Sequence, residues 1–90
     1  MITNVSLATV WVADQDEAKR FYIDVLGFAE AADISMADGY RWLTVCHPDH
    51  TELQVLLAAP GPPLDEESAA AVRRMMEKGA LHAVGMATDD

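Results

Sequence analysis

The sequence predicts an α+β fold: one β-α-β-β-β module, then a linker helix and the first strand of a truncated second module. Three observations predict it. Val10 to Phe28 (VWVADQDEAKRFYIDVLGF) reads as a strand running into a helix-capping box, a short amphipathic helix and a glycine stop. Three more runs of strand character follow, ending at Leu57. A second strand of the first design, HAVGMATDD at His82 to Asp90, then closes the sequence. One element used twice implies a repeated architecture.

Val5 to Val12 is apolar and β-branched, the pattern of a buried strand. Asp14 is placed to cap a helix, with Glu17 three residues on. That helix runs to about Leu26, its apolar stripe being Ala18, Phe21, Tyr22 and Val25. Gly27 suits the left-handed residue that ends a helix, and Phe28 to Ser35 forms the next, weaker strand. Ala37-Asp38-Gly39 reads as a hairpin turn between that strand and Tyr40 to Cys46. His47-Pro48-Asp49-His50 is a loop before the fourth strand, Glu52 to Leu57. Pro60-Gly61-Pro62-Pro63 breaks the sheet, because proline cannot donate to a ladder. Asp65 then caps a helix over Glu66 to Lys78, with Val72, Met75 and Met76 on its apolar side and Gly79 as its stop. Leu81 to Ala87 is read as a fifth strand. The organisation is thus a module over 1–59, a linker with helix over 60–79, and an opening strand over 80–90.

Ninety residues with 51% hydrophobic content make one globular domain at most. The net charge of −9, with only six Lys and Arg, excludes a phosphate-binding basic face and so a nucleic-acid partner. It equally disfavours anionic membrane surfaces, and no apolar run is long enough to span a bilayer. Cys46 is alone, so neither an internal disulfide nor a cysteine zinc site forms, which fits a reducing, cytoplasmic setting. The N-terminal run lacks the basic region of a signal peptide.

Side chains alternate across a strand. Ala8, Val10 and Val12 suit the face under the first helix, with Leu43, Val45, Leu53, Val55 and Leu57. Leu7, Thr9 and Trp11 then share the opposite face with Tyr40, Trp42, Thr44, Cys46, Glu52, Gln54 and Leu56. That face is too apolar for bulk water and too polar for an ordinary core. It reads as a ligand cup or a partner interface, against the plainer reading of a mixed, partly exposed sheet face. Trp11 and Trp42 suit stacking on a planar ligand and suit core filling equally. Met75 and Met76 serve packing, His47 and His50 are loop residues, and Cys46, without an activating His⁺ or Lys on its strand, reads as a small apolar residue.

The pattern carried by Val10, Val12, Asp14, Ala18, Phe21, Tyr22, Leu26, Gly27 and Phe28 resembles the first module of the vicinal oxygen chelate superfamily. That superfamily includes glyoxalase I, bleomycin- and fosfomycin-resistance proteins and extradiol dioxygenases. The resemblance implies two modules curled around one cup. It also implies, in metal-dependent members, four protein ligands, one each on the first and fourth strands of each module. The first of those positions is Leu7, which cannot bind a metal, and the second is Gln54, a neutral amide. The second module's equivalent is His82, seven residues before Asp89, and the fourth ligand falls beyond residue 90. Gln54 and His82 are therefore the candidate metal ligands, for a divalent cation.

These readings converge on metal-independent binding of a small organic molecule in the cup, as in drug-sequestering resistance proteins of the superfamily. Leu7, Thr9, Trp11, Trp42, Thr44, Gln54 and Leu56 are the binding residues. The alternative is a metal-dependent lyase or dioxygenase whose remaining ligands lie beyond residue 90. Open sheet edges and an open cup face predict a homodimer or domain-swapped dimer.

Overall fold

Asp14 opens the first helix as the sequence predicts. Its backbone is extended and its carboxylate accepts the Glu17 N–H at 3.0 Å. A computed structural model describes residues 1–89. Asp90, the end of the expected second-module strand, lies outside the described residues. The elements are β1 (Leu7–Trp11), α1 (Gln15–Arg20) continuing as a π-turn (Phe21–Val25), β2 (Ala29–Ser35), β3 (Arg41–His47), β4 (His50–Ala58) and α2 (Glu66–Glu77). This is the predicted β-α-β-β-β order, then the linker helix.

The strands form one sheet in the order β1-β4-β3-β2. β1 runs parallel to β4, and the other neighbours are antiparallel. Asp38 and Gly39 have φ of 72° and 76°, so the β2–β3 connection is a hairpin turn with two left-handed residues, the conformation that Asp-Gly favours. Gly27, at φ 78°, ends the first helix.

One face of the sheet carries the core. Leu43, Val45, Val55 and Leu57 are buried with Tyr22 of the π-turn, and Val10, Val12, Ala18 and Phe28 pack against them. The alternation reading of this face holds for Val10, Val12, Leu43, Val45, Val55 and Leu57, while Ala8 is not among the residues packed on the core and Leu53 is 38% exposed. The predicted helical stripe also changes. Ala18 and Tyr22 face inward, but Phe21 and Val25 are 50% and 67% exposed. The Leu26 N–H reaches back five residues, to the Phe21 carbonyl, at 3.1 Å. Such a turn takes more residues per revolution than an α-turn, so Val25 falls out of the i, i+3, i+4, i+7 register.

Two expectations are corrected. Residues 81–89 form no strand. A strand exists through its paired ladder, and among the described residues β1 is paired only to β4. The face opposite α1 is also not open, since Thr44, Cys46 and Leu56 at its centre are 0%, 5% and 8% exposed. Residues 1–7 are exposed and α1 lies on the other face, and the chain after β4 holds a buried residue of its own. There Ala69 of α2 is 3% exposed, with Val72 and Met76 half-buried on the same side and Met75 turned outward.

Candidate functional site

The register sorts the predicted binding residues into three rows across the face opposite α1. In the first row Leu7 is paired with Gln54, and Gln54 with Cys46. In the second, Thr9 is paired with Leu56, Leu56 with Thr44, and Thr44 with Ala32. In the third, Trp11 is paired with Ala58, and Trp42 with Ile34. Continuing the Thr44–Leu56 register by two residues sets Trp42 beside Ala58. Two half-buried indoles thus flank one small side chain.

The spacing of the third row has a chemical consequence. Neighbouring strands lie about 4.8 Å apart, so Trp11 and Trp42 stand about 9.6 Å from each other across β4. Aromatic rings associate at centroid separations of about 4.5–7 Å, so a flat ring placed above Ala58 touches both indoles. Ala58 lies one residue beyond the strand end that the sequence predicts at Leu57, because β4 runs to Ala58. Carrying the alternation one step further, from Leu56 to Ala58, finds it. The second row lies two residues along the strands, about 6.7 Å from the aromatic row. It offers the Thr44 hydroxyl, a fully buried group whose oxygen has no hydrogen-bond partner among the described residues.

The metal-ligand positions that the resemblance assigns are side by side in the first row, where one is leucine. His82 is elsewhere. It lines a cleft of about 190 Å³ with Val10, Trp11, Met76 and Leu81. Trp11 is four residues along β1 from Leu7, about 13 Å at the strand rise, so His82 and Gln54 are not brought together. Among the described residues no three His, Cys, Asp or Glu side chains are grouped to hold a metal ion. The donors of this chain therefore do not fit a divalent centre by themselves, and no chemical step is derived through one.

The opposite end of α1 is fixed by charges that sequence reading missed. Asp33 accepts from Arg41 Nε at 2.8 Å, Arg41 Nη2 at 2.9 Å and Lys19 Nζ at 2.8 Å. Arg41 also pairs with Asp16 at 2.7 Å, and Lys19 with Glu30. Arg41 first, and Lys19 second, hold the Asp33 carboxyl well below the usual carboxylate range. The same bonds raise Lys19 and Arg41. Glu30 and Asp33 would face opposite ways in a regular strand. The register shift between Glu30 and Ala32 turns both toward Lys19. Gln15 completes the attachment, its side-chain amide donating to the carbonyls of Leu57 at 2.8 Å and Arg41 at 3.3 Å. Burial pushes the Tyr22 phenol upward, as expected for a core residue. These groups seat α1 on the core face of the sheet.

No helix among the described residues is long and apolar enough to cross a membrane. The family model for the Glyoxalase/Bleomycin resistance protein/Dioxygenase superfamily matches residues 4–90. Among solved structures, the chain is similar to UcmS2, at 40% identity and a TM-score of 0.77, covering 90% of this chain and 61% of that one. It is also similar to TnmS3, an antibiotic binding protein from Streptomyces sp. CB03234, at 31% identity and a TM-score of 0.57. That match covers 87% of this chain and 72% of TnmS3. Among curated proteins, YurT of Bacillus subtilis (strain 168) is 36% identical over 56 residues, 62% of this chain and 43% of YurT. The chain thus spans under two thirds of the length of UcmS2 and of YurT.

Proposed function

The chain belongs to the Glyoxalase/Bleomycin resistance protein/Dioxygenase superfamily, and we propose that within it this protein is a metal-independent binder of a planar aromatic small molecule, of the antibiotic type. The observation that carries this reading is the aromatic row: Trp11 and Trp42 on either side of Ala58, on the sheet face that α1 leaves free. Likeness to TnmS3, an antibiotic binding protein, supports the ligand class. Leucine beside Gln54, at a position where metal-dependent members place a ligand, supports independence from a metal. Leu7, Thr9, Trp11, Trp42, Thr44, Gln54 and Leu56 form the cup floor in this reading.

A lone sheet supplies one wall of such a cup. We read the working form as a homodimer or domain-swapped dimer, supported by the outer edge of β1, unpaired among the described residues, and by the exposed residues 82 and 83 beside it. A sedimentation measurement showing a stable monomer at micromolar concentration would count against that.

The chain has two tryptophans, both in the row, so their fluorescence reports this site alone. Titration with polycyclic aromatic antibiotics should give saturable quenching, weakened in Trp11→Ala and in Trp42→Ala. No saturable change with any such compound sinks the proposal. So does stoichiometric Ni, Zn, Mn or Fe in the purified protein that is lost in His82→Ala, an outcome that would favour the metal-dependent class.

A further inference from the structure

We infer that the Thr44 hydroxyl is the polar anchor of the ligand site and that α2 stands in the ligand's place in the free chain. This rests on the small-molecule reading above and deepens it.

Thr44 is 0% exposed and its oxygen has no partner among the described residues. A buried hydroxyl without a partner destabilises a fold, and native proteins leave few of them. Nothing in the sheet requires it. Its neighbours along the second row are Leu56 and Ala32, and valine would fill the same volume. The hydroxyl faces the side of the sheet that carries the tryptophans, about 6.7 Å from their row. A ring stacked over Ala58 therefore sets a substituent one further ring-width away against Thr44. The ligand chemistry follows: at least two fused aromatic rings with a hydroxyl or carbonyl oxygen on the far ring. A threonine hydroxyl donates to either and accepts from a hydroxyl.

Thr44 is fully buried, so a ligand reaches it only when its cover moves; in this inference the cover is α2, whose attachment permits that. The core cluster contains no α2 residue. Among the described residues no ion pair joins α2 to the sheet. Its Arg73 donates to the Pro60 carbonyl at 3.3 Å, a bond within the linker segment. What holds α2 is a narrow apolar side: Ala69, Val72 and Met76. The cleft between Met76 and Trp11, at about 190 Å³, is smaller than ligand pockets of about 300 Å³ and above. Lifting α2 enlarges that cleft toward Thr44.

The test uses 2-naphthol and naphthalene, a pair differing by one hydroxyl. Binding to the full chain is followed through the two indole N–H signals in heteronuclear NMR. Wild type should bind 2-naphthol about 3–10-fold more tightly than naphthalene, the ratio expected for one hydrogen bond. Thr44→Val should abolish that preference while raising Tm by about 4 °C or more, and Thr44→Ser should keep the preference. Ala69→Glu, which weakens the seat of α2 and leaves the core cluster intact, should tighten both probes. Equal binding of the two probes to wild type refutes the anchor and leaves the small-molecule reading standing. Weaker binding in Ala69→Glu refutes α2 as a displaceable cover. If neither probe moves the indole signals, both the inference and the planar-ligand reading fall.

Discussion

Asp33→Asn should destabilise the fold at neutral pH and stop mattering in acid. In the wild type the carboxylate accepts three charge-assisted bonds, from Arg41 twice and Lys19 once, at 2.8–2.9 Å. Its side chain is 20% exposed and those of Arg41 and Lys19 are 22% and 26%. The network is therefore neither a free surface pair nor a buried one. Asparagine keeps one acceptor and loses the charge. With allowance for solvent screening, a loss of about 2 kcal/mol at pH 7 is expected. The sign of the pH effect follows from the direction of the shift. Asp33 is depressed in the folded state, so its contribution is present above the unfolded carboxylate value near 4 and is lost as pH falls toward the folded value. Each pH unit below about 4 removes about 1.4 kcal/mol of it until the folded value is reached. Urea unfolding of both proteins at constant salt measures this. The stability difference should shrink by about 1 kcal/mol between pH 7 and pH 3. An equal difference at both pH values would show that Asp33 acts through shape rather than charge.

Three further outcomes are expected. Gln15→Ala removes the clip to the Leu57 and Arg41 carbonyls and should cost about 1–2 kcal/mol in urea unfolding; no change would mean that the charge network alone seats α1. Gly27→Ala should cost about 1 kcal/mol, because the position needs φ of 78° while an added methyl meets nothing within 4 Å, leaving conformation as the sole penalty. Ala58→Leu fills the gap between the tryptophans, so probe binding should fall about tenfold while stability changes by less than about 1 kcal/mol; retained affinity would remove the aromatic row from the site.

The face assignment could be read from the sequence because β3 and β4 alternate without interruption beneath α1. Leu43, Val45, Val55 and Leu57 are on the core side for that reason. Four features could not be read. The irregularity between Glu30 and Ala32 belongs to the ladder, and no residue there announces it. The π-turn keeps an α-helical composition while changing its pairing, so Phe21 and Val25 looked buried and are exposed. The full burial of Thr44 depends on long-range packing that periodicity does not encode. The strand character of Leu81 to Ala87 is a capacity to pair, and it stays unused although β1 has an open edge beside it, because residues 81–89 form no ladder.

The three rows also explain how one scaffold can carry two chemistries. The end of the face near Leu7 and Gln54 is where a metal would be gripped, and it depends on donor atoms at two adjacent positions. The end near Trp11 and Trp42 depends on flat apolar surface and a gap. They are about 13 Å apart along β1, farther than ligands of one ion can lie from each other. A leucine at the first end removes a donor without disturbing the ladder, because the Leu7–Gln54 pairing uses backbone groups alone. His82 lies at the aromatic end, beside Trp11. That position, about 13 Å along β1 from the Leu7–Gln54 pair, keeps His82 from joining Gln54 around one ion.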